Sequence, residues 1–360
     1  MYKCLKDIAQ ITMGQSPKSS CYNSNQNGLP FLQGRTTFGR IYPSYDTWTS
    51  QWNKEALPND ILFTVRAPVG DVNICQTNTA IGRGIASIRA INCNPKYLFY
   101  LLQANNHLFS SNSTGTIFES INKDSLENTQ LFIHSDEEQV HIVNTIGSLD
   151  DLVEKYDEII NKLEKNILLK YESDITKSSK IYQLKDIVEV VDNRGKTPPL
   201  VNDSKEHPII EVAQLASSNM LIDCNSCEKY VSDYTYNTFF RNGHLLKNDV
   251  LISTVGTIGV AAYNFEDGLS IAQNVVALRS EYSYFVYCYL ITSKKEILNL
   301  DIGGVQPSIK IPHLLNQEIK IPLKINIDEY DALFYEINEI NKKKNILNNL
   351  KQQYLKKFFG

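Results

Sequence analysis

Asn59-Asp60-Ile61-Leu62-Phe63-Thr64 is a polar turn running into a strand-forming stretch, and the chain contains it twice. It returns as Asn248-Asp249-Val250-Leu251-Ile252-Ser253, and the copies are followed shortly by Val69-Gly70 and Ile258-Gly259. Leu5-Lys6-Asp7-Ile8 likewise returns as Leu184-Lys185-Asp186-Ile187. Ile85-Ala86-Ser87-Ile88-Arg89 matches Val275-Val276-Ala277-Leu278-Arg279. Gly115-Thr116-Ile117-Phe118-Glu119-Ser120-Ile121 aligns without gaps to Gly303-Gly304-Val305-Gln306-Pro307-Ser308-Ile309. The blocks keep their order at separations of 179 to 190 residues. Solenoid repeats recur every 20–50 residues, so this is a duplicated domain. Between the blocks the halves differ, which gives one scaffold with two sets of loops.

Each half carries short β-branched and aromatic runs (Ile61–Val65, Ile85–Ala90, Val250–Thr254) bounded by Gly, Asn, Asp and Pro, the chemistry of strands and turns. One helix begins at Asn94 as N-cap with Pro95 at the first helical position, and its counterpart is Phe285–Ile291. Each body is therefore β-rich α/β. A long helix follows each body, with no Gly or Pro between residues 148 and 178 or between 328 and 359 to break it. Leu149, Val153, Tyr156, Ile160, Leu163 and Ile167 alternate spacings of four and three, an a/d seam. Leu333, Ile337, Ile340, Leu347, Leu350 and Tyr354 nearly repeat it, with Lys344 interrupting one core position. A single seam would pack on its own domain; two, each ending a matching domain, favour the helices pairing with each other. Antiparallel pairing would put Ile160 and Leu347 inside and leave the acidic face of residues 150–158 to solvent or a partner. The fold expected is α+β: two similar β-rich bodies, residues 1–135 and 181–327, separated by helices over 136–180 and 328–360.

Hydrophobic residues make up 42 % of the 360 and charged residues 21 %, which excludes a disordered or low-complexity chain. The apolar run Phe285–Ile291 is far short of the about 20 residues of a spanning helix. The N-terminus lacks a signal-peptide pattern, and seven cysteines without a framework read as reduced thiols. A cytoplasmic protein without membrane contact is expected. The net charge of −4 is uneven: residues 1–135 carry 11 basic against 8 acidic side chains, and residues 136–180 carry 6 against 11. Charge alone neither demands nor excludes DNA.

Catalytic patterns fail one by one. Asn94-Pro95-Lys96-Tyr97 resembles the Asn-Pro-Pro-Tyr of amino-methyltransferases, but the second Pro and a glycine-rich cofactor loop are missing, and a helix cap explains it. Cys224 and Cys227 have knuckle spacing without two further zinc ligands at a partner spacing; His207 and His244 do not supply one. Asp60, Asp71, Asp249 and Glu266 lack the Glu-x-Lys partner of a nuclease. No catalytic residue and no metal ligand is expected. What remains are planar polar side chains in loops: Gln33, Arg35, Arg66, Arg83 and Thr116 in the first half, and Arg194, Lys196, Thr257, Gln273, Asn274 and Gln306 in the second. Arg reads guanine bidentately and also clamps phosphate, and amides read adenine. These are equally the residues of ordinary exposed loops.

The ordered blocks, the run Asn59–Gly70 with Ile81-Gly82-Arg83-Gly84, Asp136-Glu137-Glu138-Gln139 opening the long helix, and Asn166–Lys170 near its end together resemble the specificity subunit of a Type I restriction–modification system. The resemblance covers the whole chain. It implies two target-recognition domains on two antiparallel helices and no catalysis by this chain. The implied partners are double-stranded DNA, two modification subunits and restriction/translocase subunits; S-adenosylmethionine, ATP and Mg belong to those subunits. It also implies a bipartite, non-palindromic target with a methylated adenine in each half. A helix over 148–177 would be roughly 45 Å long at about 1.5 Å per residue. At about 3.4 Å per base pair that length spans roughly 13 base pairs, and overlap of the bodies with the helix ends brings the recognition centres to about 10–12 base pairs apart. Two competing classes remain: a methyltransferase or nuclease fragment carrying a recognition domain, and a coiled-coil adaptor that binds only proteins. DNA methylation by the purified chain would identify the first, and absence of a salt-dependent DNA complex the second.

Overall fold

Both copies of the opening block turn on an asparagine at positive φ, Asn59 at 72° and Asn248 at 73°, a conformation Asn tolerates better than most residues. The structure is a computed structural model that describes residues 1–111, 120–201, 205–216, 220–271, 273–324 and 326–360. It divides into two compact units, Met1–Val153 with Asn345–Gly360, and Glu154–Lys344.

The first unit contains β1 (Ala9–Met13), β2 (Leu29–Leu32), β3 (Ile61–Thr64), β4 (Val72–Ile74), β5 (Thr79–Ile81), β6 (Ile85–Ala90) and α1 (Pro95–Ala104), and leads into α2 (Asp136–Lys177). An antiparallel sheet runs β1-β6-β3-β4, while β2 and β5 pair in parallel within a second sheet, Phe31 opposite Ala80. All four residues of β3 are buried because both faces are covered. Ile61 and Phe63 pack with α1 residues such as Leu98 and Leu102, while Leu62 packs with Leu32, Ala56 and Ile81. That double cover explains the unbroken apolar run in place of alternation. Asn94 caps α1 as expected, its side chain accepting from the Lys96 and Tyr97 backbone N–H groups at 2.9 and 3.2 Å.

The second unit repeats the plan with β7 (Glu189–Val191), β8 (His207–Ile210), β9 (Val250–Ser253), β10 (Ala261–Tyr263), β11 (Ser270–Ile271), β12 (Val275–Arg279) and α3 (Ser283–Thr292), and leads into α4 (Ile327–Phe359). The antiparallel order β7-β12-β9-β10 matches the first sheet strand for strand, and β8 and β11 form the equivalent parallel pair. Asp60 and Asp249 lie in the same place. Asp60 accepts from Arg89 Nε and Nη2 at 2.7 and 2.9 Å and from Ser87 at 2.7 Å. Asp249 accepts from Arg279 Nε and Nη2, both at 2.9 Å. Both carboxylates are 1 % exposed, locked in two-pronged pairs across neighbouring strands. They are framework groups, which removes them as reacting carboxylates.

Within each unit a stretch of α2 lies antiparallel to a stretch of α4. In the first unit His141 meets Phe358 and Asp150 meets Lys351. In the second, Asp157 pairs with Lys344 at 2.9 Å, and Asp174 accepts from Tyr330 at 3.0 Å. Of the expected seam, Val153, Ile160, Ile167, Ile337 and Ile340 are buried, while Leu149, Tyr156, Leu163, Leu333, Leu347, Leu350 and Tyr354 are half-buried. Residues 136–153 and 345–360 group with the first body and the remainder of both helices with the second. Two expectations need correction. Lys344 does not break the seam, because Asp157 neutralises it. Asp150 does not face solvent: it is 1 % exposed, beneath Lys351, Arg40 and Tyr100.

Candidate nucleic-acid interface

In the first unit the loops that leave β1, β2, β3 and β5 are stitched edge to edge by backbone hydrogen bonds. The Gly14 N–H donates to Ile85 O at 2.9 Å, Gly82 N–H to Leu32 O at 2.8 Å, Gly84 N–H to Gln33 O at 3.1 Å, and Val65 N–H to Gly84 O at 3.0 Å. Backbones this close leave no room for side chains: a Cβ at Gly14 would stand 2.2 Å from Gly82 O, and one at Gly84 2.4 Å from Gln33 O. The glycines therefore set the loop edge, and the residues between them point away. Arg83 is exposed, and its backbone N–H donates to Ser16 Oγ at 3.1 Å, which donates to Gln33 Oε1 at 2.9 Å. Arg66 is exposed next to Val65 and is bridged through its backbone to Ser120. Gln33, Arg66 and Arg83 thus share one edge. Arg35 follows Gln33 but is tied to Asp71 at 2.6 Å. Thr116 lies outside the described residues.

The second unit builds the same edge from other residues. The Thr254 N–H donates to Asn274 O at 2.8 Å and Ile309 N–H to Thr254 O at 2.8 Å, the counterparts of the Val65–Gly84 and Ile121–Val65 bonds at 3.0 and 3.1 Å. Arg194 donates from Nη1 to Thr254 Oγ1 at 3.1 Å, and Gln273 donates to Thr197 Oγ1. The Gly256 N–H donates to Pro307 O at 2.9 Å, beside the exposed Gln306. Lys196 and Thr257 are exposed and Asn274 is half-buried on this edge. The bridge Val255–Ser308 is the equivalent of Arg66–Ser120, so Val255 stands where the first unit has Arg66. Ser16, Asp192 and Thr254 complete these edges and were not singled out from sequence. Asp192 has a local signal, two residues before Arg194.

Chemically these edges present guanidinium, amide and hydroxyl groups. Among the described residues no three His, Cys, Asp or Glu side chains cluster for a metal. Cys224 and Cys227 are free, and burial pushes their thiols up to about 12 and about 11, away from the reactive thiolate range. His134 hydrogen-bonds Tyr97 and His244 hydrogen-bonds Ser270. No helix of the described residues is long and apolar enough to cross a membrane.

The family model for the Type I restriction modification DNA specificity domain matches residues 1–165 and again 176–352, the same two copies. The chain belongs to this family. Its similarity to the Type I restriction enzyme MjaIX specificity subunit of Methanocaldococcus jannaschii is 23 % identity over 97 % of this chain and 88 % of that one. A 164-residue stretch is 40 % identical to a protein of the same organism provisionally named the MjaX specificity subunit, covering 44 % of this chain and 39 % of the relative. Among solved structures, the crystal structure of the Type I S subunit from M. genitalium aligns over 100 % of this chain and 96 % of its own, at TM-score 0.55 and 16 % identity. That likeness bears on the fold, which is the family's α+β arrangement of two domains.

Proposed function

We propose that this specificity-family chain is the non-catalytic DNA-reading subunit of a Type I complex and reads a bipartite, asymmetric target. The observation that carries the reading is the pair of equivalent loop edges bearing different side chains. Arg66 stands where the second unit has Val255, and Arg83 falls opposite Gln273 in the repeat. Two identical frames with unlike loops are what a reader of two different half-sites requires, since base edges are distinguished by donor and acceptor pattern. In this reading Gln33, Arg35, Arg66, Arg83, Arg194, Lys196, Thr257, Gln273, Asn274 and Gln306 meet DNA. The chain docks two modification subunits, adenine-N6 methyltransferases, and the restriction/translocase subunits. It carries no cofactor; S-adenosylmethionine, ATP and Mg act on the partners, and the complex works in the cytoplasm. The test is duplex binding by the chain co-purified with its modification subunit, across a salt series. A salt-dependent, sequence-selective complex is expected; absence of any duplex complex would overturn the reading.

A further inference from the structure

Arg194 is built unlike any other arginine on either loop edge. Asp192 grips it twice, Oδ1 accepting from Nε at 2.8 Å and Oδ2 from Nη2 at 2.6 Å, and the Arg194 backbone N–H adds a third bond to Oδ1 at 3.0 Å. Thr254 Oγ1 accepts from Nη1 at 3.1 Å, and its own hydroxyl donates to Asn274 O at 3.4 Å, which orients it. Three of the five guanidinium N–H groups are thereby used among the described residues. One remains on Nη1 and one on Nη2, and the side chain is still 24 % exposed. Arg35 is held by a single contact and is 53 % exposed. Arg66 and Arg83 form no ion pair among the described residues.

We propose that Arg194 is a specificity-determining residue that donates from its two terminal nitrogens to O6 and N7 of one guanine in the half-site read by the second unit, with Asp192 as its positioning residue. Guanine alone presents two adjacent acceptors in the major groove, and a planar two-donor fork matches them. A phosphate contact needs no such clamp, because a mobile side chain reaches a backbone oxygen equally well. Holding the fork in advance also lowers the ordering cost of the contact. The first unit has no equivalent: strand register sets Gln10 opposite Arg89 as Glu189 is opposite Arg279, so the position of Arg194 falls on Gln15. The guanine contact is therefore a property of one half-site, and it rests on the DNA-reading function proposed above.

The experiment is selection from a randomised duplex pool by the full chain co-purified with its modification subunit. Wild type should enrich a motif containing a guanine that Arg194→Ala no longer selects, the other positions remaining unchanged. On the optimal duplex the Arg194→Ala variant should bind about tenfold to hundredfold more weakly, the cost of one bidentate base contact. Replacing that guanine by 7-deazaguanine, which lacks the N7 acceptor, should weaken wild type and leave Arg194→Ala unaffected. Asp192→Asn should lose selectivity at the same position only, an effect general destabilisation would not confine there. Arg194→Lys keeps the charge and serves if the alanine variant misfolds; it too should lose the guanine. Equal weakening on every duplex, with the salt slope lowered by about one, would mark a phosphate contact and overturn the proposal. So would an unchanged motif. A wild-type complex that binds DNA but enriches no motif would overturn sequence reading itself, a distinct result.

Discussion

Replacing Asp150 by Ala should damage the first unit far more than replacing Lys351 by Met, although the two side chains form one ion pair. Lys351 Nζ lies 3.0 Å from both Asp150 oxygens, and the same carboxylate accepts from Arg40 Nη1 at 2.8 Å and Tyr100 OH at 2.8 Å. Asp150 is 1 % exposed and Lys351 5 %. Burial drives the Lys351 ammonium below its ordinary pKa, only partly offset by Asp150. Asp150→Ala leaves that buried cation, Arg40 Nη1 and the Tyr100 hydroxyl without their common acceptor, so about 3–5 kcal/mol is expected. Lys351→Met removes an expensive charge and leaves Asp150 with Arg40 and Tyr100. Its cost should be under about 1 kcal/mol, or stability should rise, as when buried ions give way to apolar side chains. Urea unfolding of the full chain followed by circular dichroism measures both. Equal losses, or a larger loss for Lys351→Met, would refute the argument that Asp150 is the hub.

Ile160 is 3 % exposed inside the second unit's own core, so Ile160→Ala should cost that unit about 2–5 kcal/mol. A variant with weakened partner assembly but unchanged thermal unfolding would contradict this. Asp60 is held below the ordinary carboxylate range: burial opposes ionisation, but the Arg89, Leu57 and Ser87 hydrogen bonds outweigh it. With the folded pKa below the unfolded value, its stabilisation is present above about pH 4 and lost as pH falls through the folded pKa. Asp60→Asn should flatten acid unfolding in that window, and an unchanged acid limb would count against it. Arg66→Ala and Arg83→Ala should each weaken DNA binding by the complex, by about 1–3 kcal/mol for a bidentate base contact. Unchanged affinity in both, on cognate and random duplexes, would remove them from the interface.

The duplication was legible because matched strands impose matched residues: the Asn turn, the Asp that anchors a strand Arg, and the buried strand between them. The loop edges were partly legible for a related reason, since glycines at close backbone approaches bracket the outward Arg83, while Arg66 sits before the stiff Ala67-Pro68 pair. The Asp150 hub was not. Its partners Arg40 and Lys351 lie 110 and 201 residues away, and an acidic residue beside a heptad seam reads as solvated unless those partners are known. The same blindness made Lys344 look like a defect, when Asp157 on the facing helix neutralises it. Phe334, fully buried, lies in the second unit's core but outside the a/d seam, because α4 also packs against α3 residues such as Tyr284 and Tyr287. A helix serving two neighbours carries a wider apolar face than one period reveals.

The most direct test of the whole account is single-molecule sequencing of methylated DNA from cells that express this chain with its modification subunit. The account predicts one bipartite, non-palindromic motif with a methylated adenine in each half and an unread gap between them. A continuous or palindromic motif would contradict it.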